Sequence, residues 1–244
     1  ISAQIYHNSY KLDGRTTTLP IAQLGNQQFN IGGELDLGRT DVEAQFRFSP
    51  TPDWRWVAGA GIRRDSALSE FYLGTPKREI NDTSRLFAHA EWSATSRLNL
   101  NLGAMLEDTS YSGGEFSPRL ASNYRLTPDH ALRLSSSRAY RTPTIFEEKA
   151  NNYYDFASPS LPVKIRVQQT QAIGGLMSEH IVSNELGYVG NFAEQGITLD
   201  LRVYADKLDH LVTSQRVVVP AVPGVSFFNG TALTPTGIAF SAVN

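Results

Sequence analysis

The segment Phe116–Glu148 constrains this chain more than any other. Leu120, Ser122, Tyr124 and Leu126 alternate with Arg119, Asn123 and Arg125. Thr127-Pro128-Asp129-His130 is a turn: Pro pre-sets one dihedral and Asp can bond its own backbone. Leu132 and Leu134 then alternate with Arg133, Ser135 and Ser137. Each strand is about ten residues long, apolar on one side and polar on the other, which is the pattern of a strand that crosses a membrane.

The same period recurs along the chain. Ile1, Ala3 and Ile5 start a first strand, followed by a polar stretch over Lys11–Gln28. A second strand runs from about Glu34 to Phe48, with Val42, Ala44, Phe46 and Phe48 opposed to Asp41, Glu43, Gln45 and Arg47. Such a row of charges does not fit a dry core but fits a water-filled lumen. Trp54–Ile62, Leu86–Trp92, Leu98–Leu106, Asn184–Phe192 and Ile197–Ala205 alternate likewise. Polar loops are expected over Asp65–Asp82, Thr142–Val182 and Leu211–Val225, the last leading to a final broken strand. Loops as long as Thr142–Val182 are usually functional or disordered. The total is about ten strands.

Connection lengths divide the strands into two rims. They are short at Pro50–Asp53, Ala94–Arg97, Thr127–His130 and Ala193–Gly196. They are longer at Lys11, Asp65, Thr142 and Leu211; the short Tyr111 loop is the exception. Phe48, Trp54, Trp56, Trp92, Tyr124 and Phe192 lie on the apolar face near short turns, as an aromatic girdle does. The competing reading is a soluble antiparallel sandwich, whose strands are shorter and whose inner face is drier.

Composition narrows the function. A formal net charge of −2 gives no clustered basic face for nucleic acid. The absence of Cys excludes disulfides and zinc-thiolate sites. No apolar run reaches the ~18–20 residues of a membrane helix. The five His residues lack metal-ligand spacing, so no metal site is expected. Ile1–Gln4 is not a signal peptide, and both ends lie in strand pattern, so the expectation is a fragment of a longer chain.

Three runs carry a family resemblance. They are Phe116-Ser117-Pro118-Arg119-Leu120 through Arg138-Ala139-Tyr140-Arg141-Thr142-Pro143 to Phe146-Glu147-Glu148; Asn184-Glu185-Leu186-Gly187-Tyr188; and Leu199–Tyr204 with Asp206–Val212. In order and spacing the chain resembles the barrel of TonB-dependent outer-membrane receptors over most of Asp41–Asn244. Phe228-Asn229-Gly230 with Gly237-Ile238 looks like the family's next strand. The resemblance implies an all-β, antiparallel transmembrane barrel of about twenty-two strands. Residues 1–244 would be a partial barrel domain without the plug domain. It further implies a bacterial outer-membrane location and active import of a scarce nutrient, usually a ferric siderophore. The implied partners are TonB, reached through an N-terminal segment missing here, and outer-membrane lipid with lipopolysaccharide. No covalent chemistry is implied, so neither catalytic residues nor a cofactor are expected. The alternatives are a complete ten-stranded barrel enzyme of omptin type, or a passive porin.

The ligand-binding candidates are Tyr153, Tyr154 and Phe156 with Lys164 and Arg166, because aromatics stack on flat chelates and cations attract anionic complexes. Packing of a large loop is the competing role. Arg63 and Arg64, with Lys77 and Arg78, would add positive potential at the same mouth; the competing readings are that they are simply solvated or bind lipopolysaccharide phosphates. Arg119, Asn123, Arg125, Arg138, Arg141, Glu147 and Glu148 are expected to face a plug or the lumen. For the Arg138–Pro143 exit with its two glutamates, packing of the strand's own loop is an equal reading.

Overall fold

The computed structural model describes residues 1–18, 28–157 and 162–244. In chain order the first elements are β1 (Ser2–Leu12), β2 (Arg15–Thr18), β3 (Gln28–Gly32), β4 (Leu35–Phe48), β5 (Trp54–Ser69) and the one-turn helix α1 (Glu70–Leu73). Then come β6 (Thr75–Ser93), β7 (Leu98–Thr109), β8 (Gly113–Thr127), β9 (His130–Arg141), α2 (Ile145–Lys149), β10 (Asn151–Ala157) and β11 (Lys164–Gln171). The last are β12 (Glu179–Phe192), β13 (Ile197–Asp209), β14 (Thr213–Val219), β15 (Val225–Phe228), β16 (Leu233–Thr234) and β17 (Gly237–Val243).

Alternation with a strict period of two pairs the long strands into one antiparallel sheet of nine, in the order β1-β4-β5-β6-β7-β8-β9-β12-β13. Because side chains alternate, register partners lie on the same face of the sheet. Val42, Ile62 and Ser84 form one row; Ala44, Ala60, Leu86, Leu106 and Phe116 form the next. This face is apolar and open: Ile62, Leu86, Leu134 and Leu201 are all more than half exposed. The aromatic girdle is a stack at the short-turn end. Trp54 lies 5.0 Å from Trp92 and 5.5 Å from Trp56, and Phe48 lies 6.1 Å from Trp56. His130 continues it, 5.0 Å from Phe192, with its Nδ1 2.7 Å from the Tyr188 hydroxyl.

Three expectations about loops are corrected. The stretch Asp65–Asp82 is mostly strand: β5 and β6 run 16 and 19 residues, and only α1 and its flanks join them. Cross-strand ion pairs hold this extension; Arg64 grips Asp82 with two bonds of 2.7 and 2.9 Å, and Arg78 donates to Asp36 at 2.9 Å. Ser69 caps α1, and Gly74, at φ 65°, ends it in the left-handed conformation that glycine adopts without a Cβ clash. The stretch Thr142–Val182 holds α2, β10 and β11, and β12 begins at Glu179. The stretch Leu211–Val225 contains β14. The middle of the polar stretch Lys11–Gln28 lies outside the described residues.

The final segment departs most. β17 does not join the wall; it pairs antiparallel with β14 and parallel with β11. These strands form a second sheet, β14-β17-β11-β15-β16, with β10 on the other edge of β11. The wall therefore has nine strands among the described residues rather than ten. Gly237, Ala239 and Ser241 alternate inward, and Ala239 packs with Val219 and Phe227 in a small core. A second cluster, Ala67, Leu73 and Ile145, joins α1 and α2 to the wall, with Leu37 and Phe146 against it. Both helices and the second sheet sit at the rim of long connections.

Candidate ligand-binding rim and charged inner wall

The face opposite the apolar one carries the charges. On β4, Asp41 and Glu43 point to this side, and Asp41 is 2% exposed. Arg85, two strands away on β6, donates to both Asp41 oxygens at 3.1 and 2.8 Å and to Glu43 at 2.8 Å. It reaches them by lying across β5 at Gly61, where an added Cβ would sit 2.9 Å from its Nε. Desolvation of these charges is offset because all three guanidinium nitrogens of Arg85 donate to carboxylate oxygens. A side chain at Gly61 would therefore displace the guanidinium that crosses there.

Lower on the same face, Arg119, Asn123 and Arg133 converge on one recess of about 350 Å³ with His89, Asn101 and Glu185. Arg125 alternates onto the same side, exposed near the short turn. Arg138 does not. It shares the parity of Leu132 and Leu134 on the apolar side, with its guanidinium 5.0 Å over the Tyr140 ring. It therefore departs from the inward group in which the sequence reading placed it.

Arg141, Glu147 and Glu148 are brought together at the strand exit. Thr144 and Glu147 make a reciprocal capping box that starts α2. Arg141 forks onto Glu147 at 3.1 and 3.0 Å and also bonds Glu179 at the start of β12. Glu148 is 6% exposed and accepts the backbone N–H groups of Gly175 at 2.9 Å and Leu176 at 2.7 Å. These contacts tie the β9–β12 crossover to the rim. Hydrogen bonding to Arg141 holds the Glu179 carboxyl below its ordinary range. Burial alone would raise Glu147, but Arg141 and Thr144 outweigh it and hold it low. Burial pushes the nearby Tyr111 hydroxyl up to about 12, with Glu79 and Glu148 adding to the effect.

The aromatic candidates lie on the β10–β11 hairpin rather than in a loop, and it splits them between its faces. On one, Tyr153 and Asp155 face Gln168 and Arg166. Arg166 forks onto Asp155 at 2.7 and 2.8 Å and stacks 3.6 Å from the Tyr153 ring. Its charge is thus already matched. Lys164 shares this side and lines a recess of about 570 Å³ with Asp155, Arg166, Pro162 and Gly224. On the other face are Tyr154 and Phe156; Tyr154 meets Phe71 of α1 edge-on at 5.7 Å.

Arg63 and Arg64 also part, one to each side of the wall. Arg63 is 3.2 Å from Asp65 on the charged face, and Arg64 is held by Asp82 on the apolar side. Asp82 neutralises Arg64, whereas Arg63 shares Asp65 with Arg39, pairings that the sequence reading did not foresee. Arg63 lines a recess of about 500 Å³ beneath α2, with Tyr10, Arg39, Asn81 and Ile145. Asn81 is 5% exposed and its Oδ1 accepts no hydrogen bond. The sequence reading missed Asn81, Arg85 and Glu179; nothing local marks them, because their partners or neighbours lie on distant strands.

A strand wall that is apolar outside and charged inside, with one elaborated rim, is the organisation of an outer-membrane β-barrel. The model of the family described as TonB dependent receptor-like, beta-barrel matches residues 2–240. The chain belongs to that family, whose place is the outer membrane. The siderophore receptor PirA from Pseudomonas aeruginosa is similar in structure, with a TM-score of 0.66 at 13% identity. That match covers 99% of this chain and 44% of PirA. PirA from Acinetobacter baumannii gives 0.63 at 17% identity, covering 99% and 37%. The copper transporter OprC gives 0.54 at 12%, covering 97% and 38%. These likenesses establish the fold; the chain spans less than half of each of these proteins. No curated protein matches in sequence. The family and these neighbours are receptors and transporters, not enzymes.

Proposed function

We propose that this chain forms wall and rim of an outer-membrane importer that takes up a ferric siderophore with energy from TonB. The observation that carries the reading is the rim. A second sheet and two helices are fastened over the charged face by buried glutamate contacts, leaving recesses of several hundred Å³ among aromatic and charged side chains. Concave sites of that size suit a small chelate. Tyr153, Lys164 and Arg166 are the proposed contacts, with Tyr154 and Phe156 supporting them through α1. Arg119, Asn123, Arg125 and Arg133 are proposed to face a plug domain within the lumen. Outer-membrane lipid, with lipopolysaccharide, would cover the apolar face.

Uptake of radio-iron complexes of a catecholate and a hydroxamate siderophore by cells carrying the full-length protein tests this. Uptake should collapse without TonB; passage that persists would favour a porin. Deleting Tyr153–Phe156 should weaken uptake while the barrel still assembles. Unaltered uptake would remove this hairpin from the site.

A further inference from the structure

On β4, β5 and β6 the charged face forms a grid of three rows. Register places Arg39, Asp65 and Asn81 side by side nearest the rim, then Asp41, Arg63 and Thr83, then Glu43, Gly61 and Arg85. Three arginines thus meet three carboxylates. Arg39 donates two bonds to Asp65, and Arg63 Nε lies 3.2 Å from the same carboxylate. Arg85 takes Asp41 and Glu43. Asn81 is the polar member of the top row that these pairings leave out.

Among the described residues, neither Asn81 Oδ1 nor Arg63 Nε has a hydrogen-bond partner, although both atoms are buried. The approach of Arg63 to Asp65 is a charge contact without the alignment of a hydrogen bond. A buried acceptor and donor left open are destabilising, and folded proteins fill such positions. β5 and β6 lie inside the sheet, so no further wall strand can supply the partner. Both residues line the recess of about 500 Å³ beneath α2, with Leu37, Ala67, Ile145 and Phe146 as its apolar walls. That volume is many times the ~30 Å³ share of one water. Charge balance then decides what fits. A carboxylate would add an unmatched negative charge to a balanced grid. An uncharged amide brings an N–H for Asn81 and a carbonyl for Arg63.

We infer that the recess beneath α2 holds an uncharged, amide-bearing arm of the ligand, which donates to Asn81 Oδ1 and accepts from Arg63 Nε. The inference rests on the proposed importer reading and deepens it, because it names the substrate class: ferric chelates built on an amide-linked backbone. A site built to hydrogen-bond a group rejects the analogue that lacks it, since the buried partners are then left open.

The test uses the full-length protein in neutral detergent and two ferric trihydroxamates with the same uncharged iron centre. One has an amide-linked backbone; the other is ester-linked and lacks the amide N–H groups. Wild type should bind the amide complex about tenfold tighter. Asn81→Leu, similar in size but without the acceptor, should bring that ratio close to one. Asn81→Asp keeps an acceptor beside Arg63 and should keep the preference, and heat-modifiable gel mobility shows that both variants are folded. A ratio near one in wild type would overturn the inference, as would an undiminished ratio in Asn81→Leu. A third trihydroxamate with a free carboxylate arm should bind no tighter than the ester; tighter binding would overturn the charge argument. Failure of every ferric complex to bind would sink the importer reading and this inference with it, whereas binding without an amide preference sinks the inference alone.

Discussion

The nine-stranded wall and the small rim sheet are built from similar strands but stabilised in opposite ways. The wall keeps its apolar side chains on the outside: Leu134, Leu186 and Val203 are 59%, 54% and 73% exposed, and lipid is what covers them. The rim sheet has no lipid to lean on. It folds Phe227, Val219 and Ala239 against one another until they are almost fully buried. One region hands its hydrophobic face to a solvent, and the other makes its own core. The difference shows why equal alternation in sequence need not mean equal position in a barrel.

The largest expected effect tests the rim's private core. Phe227→Ala should cost about 3–5 kcal/mol, confined to the rim. Limited proteolysis should then cut between Thr213 and Val243 while the wall keeps its heat-modifiable gel mobility. Loss of both together would mean the regions are one folding unit. Leu100→Arg and Leu201→Arg test the lipid-covered wall instead, and each should destabilise it by ~2–4 kcal/mol if mid-bilayer. Denaturant titration of the full-length protein in vesicles measures this; no change at both would remove lipid from that face.

The seam between the regions comes next. Glu148→Ala strips the acceptor from two backbone N–H groups and should cost about 1–3 kcal/mol. Hydrogen exchange at Gly175 and Leu176 should accelerate while exchange in β6 and β7 stays slow. The seam should also respond to acid. Glu147 and Glu179 titrate below the ordinary glutamate value of 4.5, so their contribution is fully present above it. It is lost as pH falls through their lowered values, and the crossover should open there before the wall does. The same exchange measurement across that range reads it. The smallest effect belongs to the girdle: Tyr188→Phe removes one bond to His130 and should cost roughly 0.5–1.5 kcal/mol.

Much of the wall was legible in the sequence because each strand carries its own record. Alternation names the two faces, and short turns such as Thr127–His130 give one rim. The place of Trp54, Trp56 and Trp92 near the short turns was legible from position; their stacking came with the strand register. The polar stretch Asp65–Asp82 misled because strands that rise beyond the lipid lose their apolar face and read as loop, although their ladder continues. The last segment misled for the converse reason. Gly237–Val243 alternates like a wall strand, but its partners are β14 and β11.

The site was less legible than the fold. Arg141 with Glu147 and Glu148 is local and could be flagged from one stretch of chain. Arg85 on Asp41 and Glu43 joins residues more than forty positions apart, and Asn81 beneath α2 depends on a helix that begins at Ile145. What the sequence determined by itself was period, face and turn, since these depend on each residue's own chemistry and its nearest neighbours. Only the tertiary structure decided which cations were already neutralised, which aromatics shared a face and which strands left the wall. Those outcomes depend on partners that the chain brings together only by folding.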